Sequence, residues 1–119
     1  MTERLIAQMD KDAREHDARF AVVLASNGIQ VVPDAASKAA FAEKVGVSDL
    51  MYPNRRLTQY CNLHQINSID LVPELSAFAV TNGTYLHGFG ADIGNGHWNQ
   101  TGHKVAGEII GRHLCEIVR

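Results

Sequence analysis

Only two segments of this 119-residue chain have the composition of a β-strand, and this limits the folds that the chain can adopt. Phe20–Ala25 is a continuous apolar run, and Ser68–Val72 is a second short strand that ends at Pro73. Continuous apolar strands are typical of parallel sheets, which are covered on both faces. A sheet of two such strands leaves its edges unpaired and its faces partly open. We therefore expect a second copy, or another half of the fold, to complete the sheet.

The remaining periodic segments predict helices, because their apolar residues recur at helical spacing or because they begin and end with capping residues. Their order relative to the strands is that of an open α/β sheet, and no linker or repeat divides the chain. We expect one domain, residues 1–119, with a short parallel sheet flanked by helices. The predicted helices are Thr2–Asp17, Ala35–Val45 after an Asp34 cap and before Gly46, Pro53–His64, Pro73–Phe78, and Thr101–Ile117 with a broad buried stripe from Val105 to Val118.

Composition excludes several classes of partner. Apolar residues make up 45% of the chain and charged residues 20%, and the formal net charge is −2. This balance lacks the basic excess that nucleic acids and anionic membranes select, and the apolar runs are too short for a transmembrane helix. The N-terminus is charged and has no signal-peptide pattern. Cys61 and Cys115 stand in no metal-type spacing, so we expect two reduced packing residues and a cytoplasmic location.

The densest chemical signal is the segment from Gly94 to His103, whose sequence is Gly-Asn-Gly-His-Trp-Asn-Gln-Thr-Gly-His. It ends the glycine-rich stretch 85–100, which lacks periodicity and is predicted to be a loop. The loop presents His97 just before the last helix, which Asn99 or Thr101 can cap. Loops at strand ends are where α/β proteins place catalytic side chains. His97 is therefore the leading candidate for a catalytic residue.

This segment resembles the final conserved block of the SGNH/GDSL hydrolases, in which a general-base histidine precedes the last helix in a His-Trp-Asn-x-x-Gly-His stretch. Weaker similarity extends upstream: residues 20–26 and 68–73 resemble the last two core strands of that fold, and residues 52–61 resemble the helix between them. The resemblance covers nearly the whole chain, but only as the C-terminal half of the family's three-layer, flavodoxin-like fold. It implies hydrolysis of a small ester or acyl transfer, without a cofactor.

Carried over by this resemblance, His97 is the base that removes the proton from a serine nucleophile, a role that suits imidazole near neutral pH. The family's orienting Asp, three residues earlier, is replaced here by Gly94. Asp92 and Asn95 are the candidates to orient His97 instead, although an amide cannot stabilise an imidazolium as a carboxylate does. Trp98 and Ser26 are candidates for substrate binding.

The nucleophile block of the family is not found in this sequence. The five serines are Ser26, Ser37, Ser48, Ser68 and Ser76, and none stands in a Gly-Asp-Ser or Gly-x-Ser-x-Gly motif. A base without a nucleophile and oxyanion donors supplies little of the catalytic power of such an enzyme. We therefore expect the isolated chain to be inactive as an SGNH hydrolase and to need its missing half.

Two alternatives start from other features of the sequence. The first is a non-enzymatic α/β module that forms a homo-oligomer through its exposed sheet edges. The second is metal binding, because imidazole and carboxylate ligands suit zinc and four such residues lie in one short segment. These residues are His87, Asp92, His97 and His103. No pair of them has helical ligand spacing, so a native metal site is the weaker of the two alternatives.

Overall fold

A computed structural model describes residues 1–119 and shows a mixed α/β architecture with five α-helices, two strands and two short 3-10 helices. The sheet and its flanking helices match the predicted class. In chain order the elements are α1 (Thr2–Glu15), β1 (Ala21–Leu24), a 3-10 helix (Gly28–Val31), α2 (Ala35–Val45), α3 (Tyr52–Leu63), β2 (Asn67–Asp70), α4 (Val72–Asn82), a 3-10 helix (Gly90–Asp92) and α5 (Gln100–Ile117).

The two strands pair in parallel, as the sequence predicts, with Ala21 opposite Asn67 and Leu24 opposite Asp70. They form the whole sheet, so each strand has one unpaired edge. The second strand was predicted too far along the chain. The observed β2 ends at Asp70, and α4 already begins at Val72. The side chain of Asp70 accepts a hydrogen bond from the Val72 amide at 3.1 Å, which turns the chain into the helix.

Helix α4 is longer than predicted, since it continues past Phe78 to Asn82. Its buried face carries Leu75 and Ala79, both fully inaccessible to solvent. Tertiary packing of this kind stabilises helical turns that the sequence periodicity alone does not predict. Residues 81–84, whose sequence Thr-Asn-Gly-Thr is typical of a turn, contain the end of this helix. Gly83 adopts the left-handed conformation there, with φ of 57°, as is common after a helix C-terminus.

The other helices confirm the sequence prediction to within a residue or two at most ends. Asp34 caps α2 by accepting hydrogen bonds from the amides of Ala36 and Ser37, and left-handed Gly46 ends that helix. Pro53 lies in the first turn of α3, where its missing N–H costs nothing. Asn99 caps α5, because its side chain accepts a hydrogen bond from the Gly102 amide at 3.0 Å.

The core has two parts. A main cluster of ten buried residues joins β2, α4 and α5, and a small cluster of Ile6, Cys61 and Ile66 lies between α1, α3 and β2. The buried stripe of α5 is narrower than predicted: Val105, Ala106 and Ile109 are buried, but Leu114 and Val118 are exposed. Cys115 is exposed as well, so only Cys61 is the buried packing residue that the sequence predicted.

The chain exposes more surface than a compact protein of its mass. Its accessible surface is 7862 Å², whereas a folded monomer of this mass has about 6,300 Å². Its radius of gyration is 15.8 Å, compared with about 13.5 Å for a compact domain of this length. The difference in surface is about 1,500 Å² by the same scaling. None of the helices combines the length and the apolar character needed to cross a membrane.

Candidate active site

The glycine-rich segment 85–99 is a loop, as predicted, but it folds back on itself through backbone hydrogen bonds. His87 and Trp98 form an antiparallel bridge. The Asn99 amide donates to the Leu86 carbonyl at 3.0 Å, and the Gly88 amide donates to the His97 carbonyl at 2.9 Å. These contacts tie the backbone on both sides of His97 to the preceding segment. His97 therefore lies in a turn that backbone hydrogen bonds hold in place, three residues before α5 begins.

Two glycines allow this close pairing of backbone segments. Gly88 has φ of 83°, and a Cβ there would lie 2.0 Å from the Asp92 carbonyl oxygen. At Gly102, in the first turn of α5, a Cβ would lie 2.1 Å from the Leu86 carbonyl oxygen. Only glycine leaves room for backbone at these distances. The close packing of the loop on itself and on α5 therefore requires glycine at positions 88 and 102.

A serine after β1 and a histidine of this loop, which are far apart in the sequence, are joined by a hydrogen bond. Ser26 follows the carboxyl end of β1, and its Oγ lies 2.9 Å from Nε2 of the buried His87. Nδ1 of His87 lies 2.7 Å from the Gly96 carbonyl oxygen, and Trp98 donates its indole N–H to Ser26 Oγ at 2.9 Å. The sequence indicates Ser26 as a candidate for substrate binding and His87 as a candidate metal ligand, and no local pattern connects the two residues.

The direction of every hydrogen bond in this group follows from its chemistry. A carbonyl oxygen only accepts, so Nδ1 of His87 carries the proton that it donates to Gly96. In the neutral ring Nε2 is then an acceptor. The indole N–H of Trp98 only donates, so Ser26 Oγ accepts on that side and donates its own proton to His87 Nε2. The hydroxyl is therefore aimed at the imidazole.

Ser26 and His97 line the same open cleft, which has a volume of about 680 Å³ and lies at the carboxyl end of β1. Its remaining lining comes from the segments around the first 3-10 helix, α2, the start of α3 and the loop. The polar lining residues are Ser26, Asn27, Gln30, Asn54, Asn95 and His97. This is the edge at which open α/β sheets place their ligand sites.

One wall of the cleft is held by buried amide side chains. Gln30 donates to the side-chain oxygen of Asn54 at 2.9 Å, and Asn54 donates to Asp70 at 2.9 Å. Gln30 and Asn54 are each less than a tenth exposed. Because buried amides need hydrogen-bond partners, this series of hydrogen bonds fixes the first 3-10 helix against α3 and the end of β2. Nothing in the local sequence patterns links these three residues.

The predicted site residues are brought together only in part. His97 is exposed in the cleft with Asn95, while Asp92 is exposed outside its lining. The backbone N–H of Asn95 donates to the Asp92 carbonyl at 3.0 Å and turns the loop back on itself. Neither the carboxylate of Asp92 nor the side-chain amide of Asn95 hydrogen-bonds the His97 ring. Trp98 lies outside the cleft lining and packs against the main core, so the structure gives it a positioning contact rather than a binding surface.

The residues of the metal hypothesis do not converge. Nowhere in the chain do three His, Cys, Asp or Glu side chains form a group that could hold a metal ion. His87 is turned toward Ser26 and Gly96, and the His103 ring stands edge-on to Trp98 with 5.6 Å between ring centres. The geometry therefore gives the metal alternative no support, because its four residues do not come together as a ligand set.

Comparison with known proteins finds no family model, no curated protein and no solved structure that matches this chain.

Proposed function

We propose that this chain is the C-terminal half of an SGNH-type acyl hydrolase, in which His97 acts as general base on a serine supplied from outside these residues. The observation that carries the proposal is the placement of His97. It is exposed in a cleft at the carboxyl end of β1, on a turn that backbone hydrogen bonds hold in place. The His-Trp-Asn-x-x-Gly-His pattern supports the same assignment.

The chemistry follows from what the cleft contains. A neutral imidazole can take the proton of an attacking hydroxyl and return it to the departing alcohol. No carboxylate of this chain hydrogen-bonds the His97 ring, and Gly94 stands where the family has its orienting Asp. His97 would therefore act without a carboxylate to stabilise its imidazolium, which lowers the activity expected of the complete enzyme. A cleft of about 680 Å³, whose polar lining is mostly amide side chains, suits a small ester or an acetylated sugar.

We expect the chain to gain esterase activity when it is mixed with a polypeptide that carries the Gly-Asp-Ser half of an SGNH hydrolase. His97→Ala should then lower kcat/KM of the mixture at least about 100-fold, because general-base catalysis contributes roughly that much or more. Hydrolysis of a short-chain p-nitrophenyl ester gives the measurement. His16→Ala is the matched control, since His16 lies at the end of α1 outside the cleft. Activity of the mixture that survives His97→Ala would rule out the assigned role.

A second candidate function, self-association, is favoured by the excess surface of the chain. About 800 Å² per partner is typical of a stable interface, and the surface beyond that of a compact monomer is larger than this. On β1 the outer strand edge is unpaired, and Val23 on this strand is 39% exposed. A second copy that adds its strands at this edge would cover both. On this proposal the chain is a non-enzymatic α/β domain that forms a homo-oligomer through its sheet edge.

For this second function we expect sedimentation to show a dimer at micromolar concentration. Val23→Lys should weaken the dimer at least about tenfold, because it places a charge on the strand edge. Val80→Lys is the control, since Val80 is 59% exposed on α4, away from the sheet edge. A wild-type chain that sediments as a well-folded monomer would exclude the module.

A further inference from the structure

Ser26 has the local arrangement of an activated nucleophile, although it stands in no nucleophile motif. Its hydroxyl donates to Nε2 of His87, and the opposite ring nitrogen of His87 is held by the Gly96 carbonyl. Nucleophilic serines need a hydroxyl within hydrogen-bond reach of a base that a third group orients. Ser26, His87 and Gly96 meet this geometric requirement at 2.9 and 2.7 Å.

We propose that Ser26 is a nucleophile in its own right, with His87 as its base, and that small activated esters acylate it. The proposal rests on residues of this chain alone and does not depend on the role assigned to His97. Ser26 is half-buried and lines the 680 Å³ cleft, so a small acyl group can reach its Oγ. His87 is buried behind it, where water does not compete for the imidazole.

The step conserves atoms and charge. The Ser26 Oγ–H proton passes to His87 Nε2 while Oγ forms a bond to the carbonyl carbon of the ester. The bond from that carbon to the alcohol oxygen then breaks, and the departing alcohol takes the proton from Nε2. The products are an acyl-Ser26 ester, the free alcohol and a neutral His87. Attack by water with the same proton transfers returns Ser26 and releases the carboxylic acid.

The neighbouring groups indicate how efficient this pair can be. The Trp98 N–H donates to Ser26 Oγ, so the hydroxyl proton of Ser26 remains for the imidazole of His87. The partner of His87 is a neutral carbonyl rather than a carboxylate, so it fixes the ring and its tautomer but stabilises an imidazolium less. We therefore expect acylation by esters with good leaving groups and slow hydrolysis of the acyl-serine.

The experiment is acetylation of the wild-type chain by p-nitrophenyl acetate, followed by intact-mass measurement and peptide mapping. The exposed thiol of Cys115 is first alkylated with iodoacetamide, since it would otherwise form a hydroxylamine-sensitive thioester. The expected result is one hydroxylamine-sensitive acetyl group, located on Ser26. Ser48 is the internal control, because it is an exposed serine beyond the end of α2. Ser48 should stay unlabelled, and urea should abolish the labelling of Ser26, because the reaction depends on the folded arrangement.

Two variants test the roles of the pair. Ser26→Ala should remove the hydroxylamine-sensitive label, and His87→Gln should slow its formation at least tenfold, while Ser48→Ala should leave it unchanged. Circular dichroism checks that the variants are folded. The proposal is overturned if the wild-type chain carries acetyl groups only on amines, if Ser48 reacts as fast as Ser26, or if folded His87→Gln reacts at the wild-type rate. Because no second polypeptide is present, failure here leaves the His97 assignment unaffected.

Discussion

Replacing Gly102 by Ala is expected to destabilise the chain by about 3 kcal/mol, at the upper end of the usual cost of overpacking. The new Cβ would lie 2.1 Å from the Leu86 carbonyl oxygen and 3.0 Å from Cβ of Trp98. The carbonyl cannot move freely, because it accepts the Asn99 amide and so helps to pin the loop. Urea unfolding followed by circular dichroism gives the measurement.

Gly107 provides the control on the same helix, because a Cβ at that position meets no atom within 4 Å. Gly107→Ala should raise the free energy of unfolding by about 0.5–1 kcal/mol, since alanine is the better helix former. The two substitutions are chemically identical and are expected to have opposite signs. Equal effects of the two would contradict the close approach of α5 to the loop.

Replacing Leu75 by Ala is expected to cost about 2–5 kcal/mol, the range measured for deletion of buried leucine side chains. Leu75 is fully inaccessible and belongs to the main core cluster, between α4 and its neighbours. With only 22 of 119 residues buried, the chain has little other core to compensate. A loss of this size approaches the whole stability of a small domain.

Leu63 is the matched control for this deletion, since it is 82% exposed at the end of α3. Leu63→Ala should change the free energy of unfolding by less than about 0.5 kcal/mol. Urea unfolding of both variants in parallel decides the comparison. If Leu63→Ala cost as much as Leu75→Ala, the exposed position of Leu63 in the isolated chain would be contradicted.

Features set by local chemistry were predictable from the sequence. The Asp34 cap, the Gly46 end of α2 and the Asn99 cap of α5 each depend on residues within four positions of one another. The two parallel strands were predictable as well, because β1 lies in a continuous apolar run of strand length and the segment around Ile69 ends at Pro73. The length of helix α4 was underestimated because its last turn depends on burial of Ala79 in the main core, and the Thr-Asn-Gly sequence at its end is equally typical of a turn.

The candidate site was less predictable, because it is assembled from distant segments. Ser26 and His87 are 61 positions apart, and Ser26 and Trp98 are 72 positions apart. The motif identified His97 and its loop, but no spacing rule links a serine after one strand to a histidine before a glycine. The expected partnership of Asp92 with His97 depended on how the glycines bend the loop. The backbone pairing of 86–88 with 97–99 leaves Asp92 outside the cleft.

Helix α1 is held to the rest of the protein by few contacts, and this sets the order in which the structure opens. Ile6 is its one buried residue, and its polar attachments are Glu3 with Arg56 and Arg14 with the Gln65 carbonyl. Such an element detaches at a lower free energy than the main core unfolds. Detachment uncovers Cys61, whose thiol pKa is raised by burial in the folded chain. Cys61 therefore becomes available to oxidants through a partial opening that leaves the cleft at the carboxyl end of β1 intact.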